Sequence, residues 1–200
     1  MSVRRSAFKK TKRLLVIASE GHESEPLYFS AFHPGRDGHF RLKVLDNPQH
    51  KTSPRKVVER LLDYEKQYRP GADTEYWAVV DRDVWSEQEL REACVQIGKR
   101  RNFELVLSNP CFELWLWLHL YSNRPFADRH DCSRSLQREW TGFRGKSDYD
   151  VAALLTAERL EDACRRAREL DAEPQAPWPR EQGTRVYRLV ERLRHSLPVR

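Results

Sequence analysis

Four acidic side chains follow two apolar segments of the sequence, at positions that suit them for binding a cation. Glu20 comes two residues after one apolar run, with Glu25 close behind it, and Asp81 and Asp83 directly follow another. Alternate residues of an extended chain point to the same side, so Asp81 and Asp83 can converge on one point. Carboxylates that close repel one another, and an all-oxygen ligand set favours Mg²⁺ or Mn²⁺. We therefore predict a metal site formed by these four residues.

A simpler interpretation of the same acids remains open. An Asp-x-Asp tripeptide is common, and such residues also cap helices or line a solvent-exposed edge. The presence of Glu20 and Gly21 after a separate apolar run favours the metal site, because Gly21 lets the backbone approach a phosphate closely. Arg82 is a candidate phosphate contact, although the alternation of a strand can also turn its side chain away from the acids.

The acids would be positioned by strands of a parallel sheet. Short apolar or alternating runs predict strands near residues 14–18, 40–45, 76–80 and 103–107, with helical spacing between them. This order of elements predicts an α/β fold with a mostly parallel sheet flanked by helices. Ligands of such sheets bind beyond the carboxyl ends of the strands, which is where the acids fall.

A strongly apolar helix is predicted from Asn109 and Pro110 to Leu120, with Asn109 as its cap and Pro110 in its first turn. Glu113 is the exception in this helix, since a buried carboxylate needs a partner. Either an arginine pairs with Glu113, or Glu113 is a further catalytic acid directed at the metal centre. We favour the second, because the helix starts at the ligand-binding edge. His119 is expected in the core or on the surface.

Three segments, in order along the chain, resemble RloB-like proteins, and a fourth near the carboxyl end looks similar. They are residues 17–29 (IASEGHESEPLYF), 80–83 (VDRD), 108–119 (SNPCFELWLWLH) and 183–190 (GTRVYRLV). The sequence departs from the family pattern in two places. Ser24 stands where the family usually has threonine, which keeps a hydroxyl, and the segment ending at Lys146 replaces the family's Tyr-x-Lys.

The resemblance implies a fold and an activity. RloB-like proteins are similar to Toprim domains, in which the glutamate after the first strand and the Asp-x-Asp acids carry the metal and the chemistry. For this chain it implies Glu20, Asp81 and Asp83 in those roles, with Lys146 as a phosphate contact. It also implies a Mg²⁺-dependent nuclease acting on DNA or RNA in prokaryotic phage defence, with an ATPase encoded nearby as partner.

The charge distribution suggests three parts of the chain. Residues 1–13 carry six Lys or Arg and no acidic residue, which equals the net charge of +6 of the whole chain. Such a segment either adds affinity for nucleic acid or is a solvated end. We predict a basic disordered tail over 1–13, a Toprim-like core over 14–120 and a helical C-terminal part over 121–200 packed on that core.

Several classes of protein are disfavoured. No apolar stretch approaches the roughly 18 residues of a membrane span, and the first residues lack the pattern of a secretory signal. The four cysteines form no CxxC pair, so we expect reduced thiols and no zinc site. We expect a soluble cytoplasmic protein without membrane contact, and a homo-oligomer is compatible with the sequence.

Two other functions compete with the nuclease. The apolar strand before Asp81 resembles that of haloacid-dehalogenase phosphatases, in which Asp81 would be the nucleophile and Asp83 the general acid. That motif normally has Thr or Val where Trp85 stands, and it opens its domain, whereas here the strand before Glu20 precedes it. The third interpretation is a non-catalytic, Toprim-like module that senses a signal or docks on an ATPase.

Overall fold

A five-stranded sheet organises the protein, as seen in a computed structural model that describes residues 12–32, 40–48, 52–82, 85–98 and 100–194. The sheet has the order β2-β1-β3-β4-β7, with β1 to β4 parallel and β7 antiparallel to β4. A small hairpin of β5 and β6 stands apart from this sheet. The strands are β1 Arg13–Ser19, β2 Phe40–Val44, β3 Thr74–Asp81, β4 Phe103–Asn109, β5 Phe143–Gly145, β6 Asp148–Tyr149 and β7 Gly183–Thr184.

Helices cover both faces of the sheet. Those in the described ranges are α1 Ser24–Ser30, α2 Pro54–Tyr68, α3 Glu87–Ile97, α4 Phe112–Leu120, α5 Arg129–Glu139, α6 Val151–Leu154, α7 Ala157–Leu170 and α8 Val186–Arg194. Helices α2 and α3 pack on one face, and the remaining helices build a larger apolar core on the other. The α/β fold predicted from the sequence, with its mostly parallel sheet, is confirmed and is consistent with a Toprim-like fold.

The apolar runs form strands because both faces of the sheet are buried. Along β1, Leu15 and Ile17 enter the larger core, whereas Leu14, Val16 and Ala18 enter the core beneath α2 and α3. Continuous apolar runs of this kind are typical of parallel strands covered on both sides. The helices therefore cover both faces of the sheet, and a ligand can approach the sheet at the ends of its strands.

The N-terminal cap has a clear sequence signal in α3, whereas the cap of α4 differs from the one predicted. The capping box of Ser86 and Glu89 starts α3. The predicted start of α4 was wrong, because Asn109 is the last residue of β4 and Cys111 is the N-cap. The Asn109 amide instead donates hydrogen bonds of 2.9 Å to the carbonyls of Arg180 and Glu181, so it ties β4 to the C-terminal segment.

The C-terminal part contributes strands as well as helices. The predicted helical part over 121–200 also contains strands β5, β6 and β7, and α8 begins only at Val186, because Gly183 and Thr184 join the edge of the sheet. Of the predicted tail, Arg13 already belongs to β1, and residues 1–11 lie outside the described residues. In the part of the chain that the structure describes, none of the helices is long and apolar enough to cross a membrane.

A buried ion pair joins the C-terminal elements. Arg185 donates three hydrogen bonds of 2.9 to 3.1 Å to the Asp171 carboxylate. Its remaining donors reach the carbonyls of Glu173 and Ala176, at 2.7 and 2.5 Å. The Tyr187 hydroxyl donates to the same carboxylate at 3.0 Å. Every charge of this pair is therefore matched inside the protein.

Candidate functional site

Glu20 and Asp81 lie side by side at the carboxyl ends of β1 and β3, which we call the carboxyl edge of the sheet. The two strands are parallel neighbours, and Ser19 is paired in register with Val79. A Glu20 carboxylate oxygen accepts a hydrogen bond of 3.2 Å from the Asp81 backbone N–H. The Trp85 indole N–H lies 3.1 and 3.0 Å from the two Glu20 oxygens. These donors hold the Glu20 side chain at the site.

One carboxylate oxygen of Asp81 has no hydrogen-bond partner among the residues that the structure describes. This oxygen, Oδ1, is shielded from solvent. Burial raises the pKa of Asp81 well above its ordinary value, and the charges of Glu25, Glu113 and Glu20 raise it further. This oxygen is therefore poised to accept a proton or to bind a cation.

Glu25 lies in the first turn of α1 and turns back toward the end of β1. Its carboxylate accepts a hydrogen bond of 3.0 Å from the Gly21 N–H. Burial raises the pKa of Glu25 to about 7, with Glu113 adding to the rise and the backbone hydrogen bonds opposing it. A Cβ at residue 21 would overlap the Glu25 carboxylate. Glycine at position 21 thus serves the close approach of a carboxylate in this structure.

Glu113 enters the same region from the first turn of α4, with only 1% of its side chain exposed. It pairs with Lys146, whose Nζ lies 3.0 Å from a Glu113 oxygen. Burial lowers the pKa of Lys146, but the charge of Glu113, its contact with Lys146 at hydrogen-bond distance and the charge of Asp81 together outweigh burial and raise the pKa overall. Glu113 thus has a lysine partner, where the less favoured interpretation named an arginine, and its charge also raises the pKa of Asp81 and Glu25. We call Glu20, Glu25, Asp81 and Glu113 the acidic cluster.

The hairpin of β5 and β6 brings Lys146 to the acidic cluster. The Ser24 hydroxyl donates a hydrogen bond of 3.2 Å to the Lys146 carbonyl, and the Tyr149 hydroxyl donates one of 2.5 Å to the Ser24 carbonyl. Burial and the nearby charges of Glu25 and Glu113 raise the pKa of Tyr149, so its hydroxyl stays protonated as a donor. The hydroxyl of Ser24, where the family usually has threonine, has a definite partner here.

Three further residues considered in the sequence analysis are Arg82, Asp83 and His119. The Arg82 guanidinium donates to the Trp85 carbonyl and so folds back on its own segment. Asp83 lies outside the described residues. His119 is a core residue, bonded at 2.9 Å to the Tyr28 hydroxyl and at 2.8 Å to the Trp115 carbonyl, and burial lowers its pKa to about 3. The expectation that His119 lies in the core therefore agrees with its position.

Sequence reasoning missed two residues beside the site. Trp85 binds Glu20, and its place just after the Asp-x-Asp segment was the available signal. Arg60 of α2 donates to the carbonyls of Ser19 and Asp46, the latter at 3.3 Å, where β1 and β2 end. Nothing in the local sequence distinguishes Arg60 from the other basic residues of that helix.

The donor chemistry of the acidic cluster fits a hard divalent cation. Its groups are all carboxylates, they are buried or half-buried, and among the described residues Oδ1 of Asp81 has no partner and Oε1 of Glu113 has the Lys146 ion pair but no hydrogen bond. Among the described residues, which do not include Asp83, no group of three or more His, Cys, Asp or Glu side chains is placed so that it could hold a metal ion. The four cysteines are free thiols, and a hydrogen bond with Cys132, together with burial, raises the pKa of Cys111.

Comparison with known proteins identifies the family. The sequence profile of RloB-like proteins matches residues 15–193. The chain belongs to the RloB-like protein family. No curated protein matches this RloB-like chain, and no solved structure does. The profile spans the acidic cluster, the hairpin with Lys146 and the buried pair of Asp171 and Arg185, so the family resemblance extends from the first strand to α8.

Proposed function

We propose that this RloB-like protein is a Toprim-like, Mg²⁺-dependent nuclease, able also to use Mn²⁺, that hydrolyses phosphodiester bonds in DNA or RNA. The observation that carries the proposal is the acidic cluster at the carboxyl edge. Three separate segments deliver four carboxylates to one place, and the protein does not neutralise them fully. A protein maintains such repulsion where a cation is to be bound.

Each residue of the cluster has a proposed role. Glu20, Asp81 and Asp83, with Glu25, would hold the cation, and Glu113 would border it. When bound, Mg²⁺ would stabilise charge developing on the scissile phosphate. Glu20 either activates the attacking water or serves as a ligand, and the Trp85 indole and the Asp81 N–H hold its carboxylate in position.

Contacts to the substrate would come from the surroundings of the cluster. Gly21, Arg82 and Lys146 are the proposed phosphate contacts, and the basic residues of segment 1–13 would add affinity for the nucleic-acid backbone. The family membership supports a role in prokaryotic phage defence with an ATPase partner. Arg82 and Lys146 bind protein groups in this structure, so each would have to exchange its partner for a phosphate.

The test is cleavage of DNA and RNA by wild type and by Glu20→Gln, with the neighbouring ATPase present and with Mg²⁺, Mn²⁺ or EDTA. Glutamine keeps the size and most hydrogen bonds of Glu20 but removes its charge, so folding should survive. We expect metal-dependent cleavage to fall at least about a hundredfold. The matched control is Glu23→Gln in the same loop, which should cleave like wild type.

The alternatives predict other outcomes. A haloacid-dehalogenase-type phosphatase would lose phosphate-ester hydrolysis on Asp81→Asn and keep it on Glu20→Gln, since Glu20 has no role there. The hydrogen bond between Glu20 and the Asp81 N–H favours the nuclease over this alternative. A non-catalytic sensor or docking module would cleave nothing with either metal. Wild-type cleavage that Glu20→Gln leaves intact would refute the nuclease site.

A further inference from the structure

Lys146 is placed as a counter-charge to the acidic cluster. Its ammonium contacts Glu113, and its charge lowers the pKa of both Glu25 and Asp81, against the effects that raise it. The guanidinium of Arg60 also acts on Glu25, but it is held by two backbone carbonyls at the ends of β1 and β2. Lys146 therefore neutralises the carboxylates where a cation would be bound.

The lysine is anchored by its backbone, while its ammonium pairs with Glu113 from a side chain that is half exposed to solvent. The carbonyl of Lys146 is fixed by Ser24, and Tyr149 fixes Ser24 in turn. The side chain is 54% exposed, whereas that of Glu113 is 1% exposed. A lysine head group is a strongly hydrated charge on a flexible four-carbon stem. It can consequently leave Glu113 for solvent without any change in the hairpin that carries it.

The Lys146 ammonium and a divalent cation would repel each other if both were bound to the same carboxylates. Like charges a few ångströms apart repel by several kcal/mol at the effective dielectric constant of roughly 20 typical of such sites. We propose that Lys146 is a built-in counter-ion of the acidic cluster, which holds Glu113 in the metal-free protein and must withdraw when a divalent cation binds. This inference rests on the proposed function, because it presumes that the cluster binds such a cation.

The proposal predicts tighter metal binding when the lysine charge is removed. Mn²⁺ binding to the full chain is measured by titration calorimetry for wild type, Lys146→Gln and Lys146→Arg. We expect Lys146→Gln to bind Mn²⁺ at least about tenfold more tightly, since in wild type the lysine relieves most of the repulsion by withdrawing into solvent and the remainder is lost with its charge. Lys146→Arg should remain within about twofold of wild type, because arginine retains the charge.

A matched control separates the charge of Lys146 from the hairpin. Arg144 lies on the same hairpin and pairs with Asp148 at 2.6 and 2.7 Å, on the solvent side. Arg144→Gln removes one positive charge from the hairpin and should leave Mn²⁺ affinity within about twofold of wild type. A structural role of Lys146 alone would give Lys146→Gln the same affinity as this control.

A second measurement is independent of calorimetry. Without divalent cations, Lys146→Gln should melt at a lower temperature than wild type, since the carboxylates lose their counter-charge. Added Mg²⁺ should raise its melting temperature more than that of wild type. Lys146→Met, which preserves the packing of the stem, should behave in the same way and shows whether glutamine alone disturbs the fold.

The outcomes distinguish this inference from the proposed function. If wild type binds Mn²⁺ and Lys146→Gln binds it equally or more weakly, the counter-ion role is refuted while the metal site stands. If neither protein binds Mn²⁺, the proposed function fails and the inference fails with it. Tighter binding by Lys146→Gln, without the same gain in Arg144→Gln, supports both.

Discussion

The acidic cluster and the pair of Asp171 and Arg185 both contain buried charge. In the pair the charges are matched by hydrogen bonds and counter-charge, whereas the cluster has an excess of carboxylates. The Asp171 carboxylate accepts from Arg185 and Tyr187, and the remaining guanidinium donors reach backbone carbonyls. In the cluster, Asp81 keeps an oxygen without a described partner, and burial raises the pKa of Asp81 and Glu25.

The difference separates charge used for architecture from charge available for binding. A buried ion pair that is fully hydrogen-bonded fixes the elements around it, here α7, β7 and α8. A group of carboxylates that remains short of counter-charge stores electrostatic free energy that a ligand can release. Stability should therefore fall when a member of the ion pair is removed and rise when a carboxylate of the acidic cluster is removed.

The largest effect on stability is expected at the satisfied pair. Arg185→Met removes three hydrogen bonds and the closer counter-charge from the buried Asp171 carboxylate and leaves Arg188, at 3.3 Å, as its ionic partner, so the free energy of unfolding should fall by about 3–4 kcal/mol. Urea denaturation followed by circular dichroism measures it. The control Arg138→Met removes an exposed arginine that pairs with Glu139 at 3.0 Å, and it should cost less than about 1 kcal/mol. Equal losses in the two variants would remove the distinction between the regions.

His119 provides a buried group that is satisfied in its neutral form. Its pKa is lowered from 6.5 to about 3 by burial, so the unfolded chain takes up a proton that the folded protein refuses. Stability should be complete above pH 6.5 and should fall by about 3 kcal/mol by pH 4 from this group.

Denaturation at several pH values checks this contribution. His119→Gln should flatten the dependence of unfolding free energy on pH between 6.5 and 4, whatever its absolute stability. His130→Gln, at an exposed position of α5, should retain the wild-type slope. An unchanged slope in His119→Gln would mean that the buried imidazole is protonated in the folded protein.

The smallest effect has the opposite sign and lies in the acidic cluster. The pKa of Glu25 is raised from 4.5 to about 7, so its contribution to stability is complete below pH 4.5 and is lost as the pH rises toward 7. In EDTA at pH 8, Glu25→Gln should therefore be more stable than wild type by about 2 kcal/mol. Glutamine can still accept the Gly21 N–H.

The same variant should bind divalent cations more weakly, because it removes one of the proposed ligands. Thermal melting with EDTA and with Mg²⁺ measures both effects in one experiment. Destabilisation of Glu25→Gln in EDTA would show that the carboxylate is already satisfied by the protein, which would make the cluster resemble the pair of Asp171 and Arg185.

Much of the fold could be predicted because its signals are local. The apolar runs of β1 and β3 and the capping box of Ser86 depend on neighbouring residues, and the sequence displays them directly. Strand β7 could not be predicted in this way, since two residues carry no periodicity and pair with β4 only through the fold. Asn109 resembled a helix cap because its partners are the carbonyls of distant residues.

In the candidate site too, residues with local sequence signals could be predicted and contacts between distant segments could not. Glu20 and Asp81 could be predicted from their places after two strands, and Glu113 from its charge within an apolar helix. The partner of Glu113 could not, because Lys146 reaches it from a hairpin whose place beside α1 depends on the Ser24 hydroxyl, a contact between residues distant in the sequence. The contact between Trp85 and Glu20 likewise depends on the path of the chain beyond β3.

The pairing of β7 with β4 has a consequence for the order of events during synthesis. Ser108 and Asn109 lie opposite Thr184 and Gly183, so β4 has no neighbour on that side until the last part of the chain has emerged from the ribosome. A nascent chain therefore presents an open strand edge, a surface prone to wrong pairing and aggregation. A chain that stopped before residue 183 would keep this edge of β4 exposed. The hairpin with Lys146 also emerges long after Glu20 and Asp81, so these acidic residues are synthesised before their counter-charge.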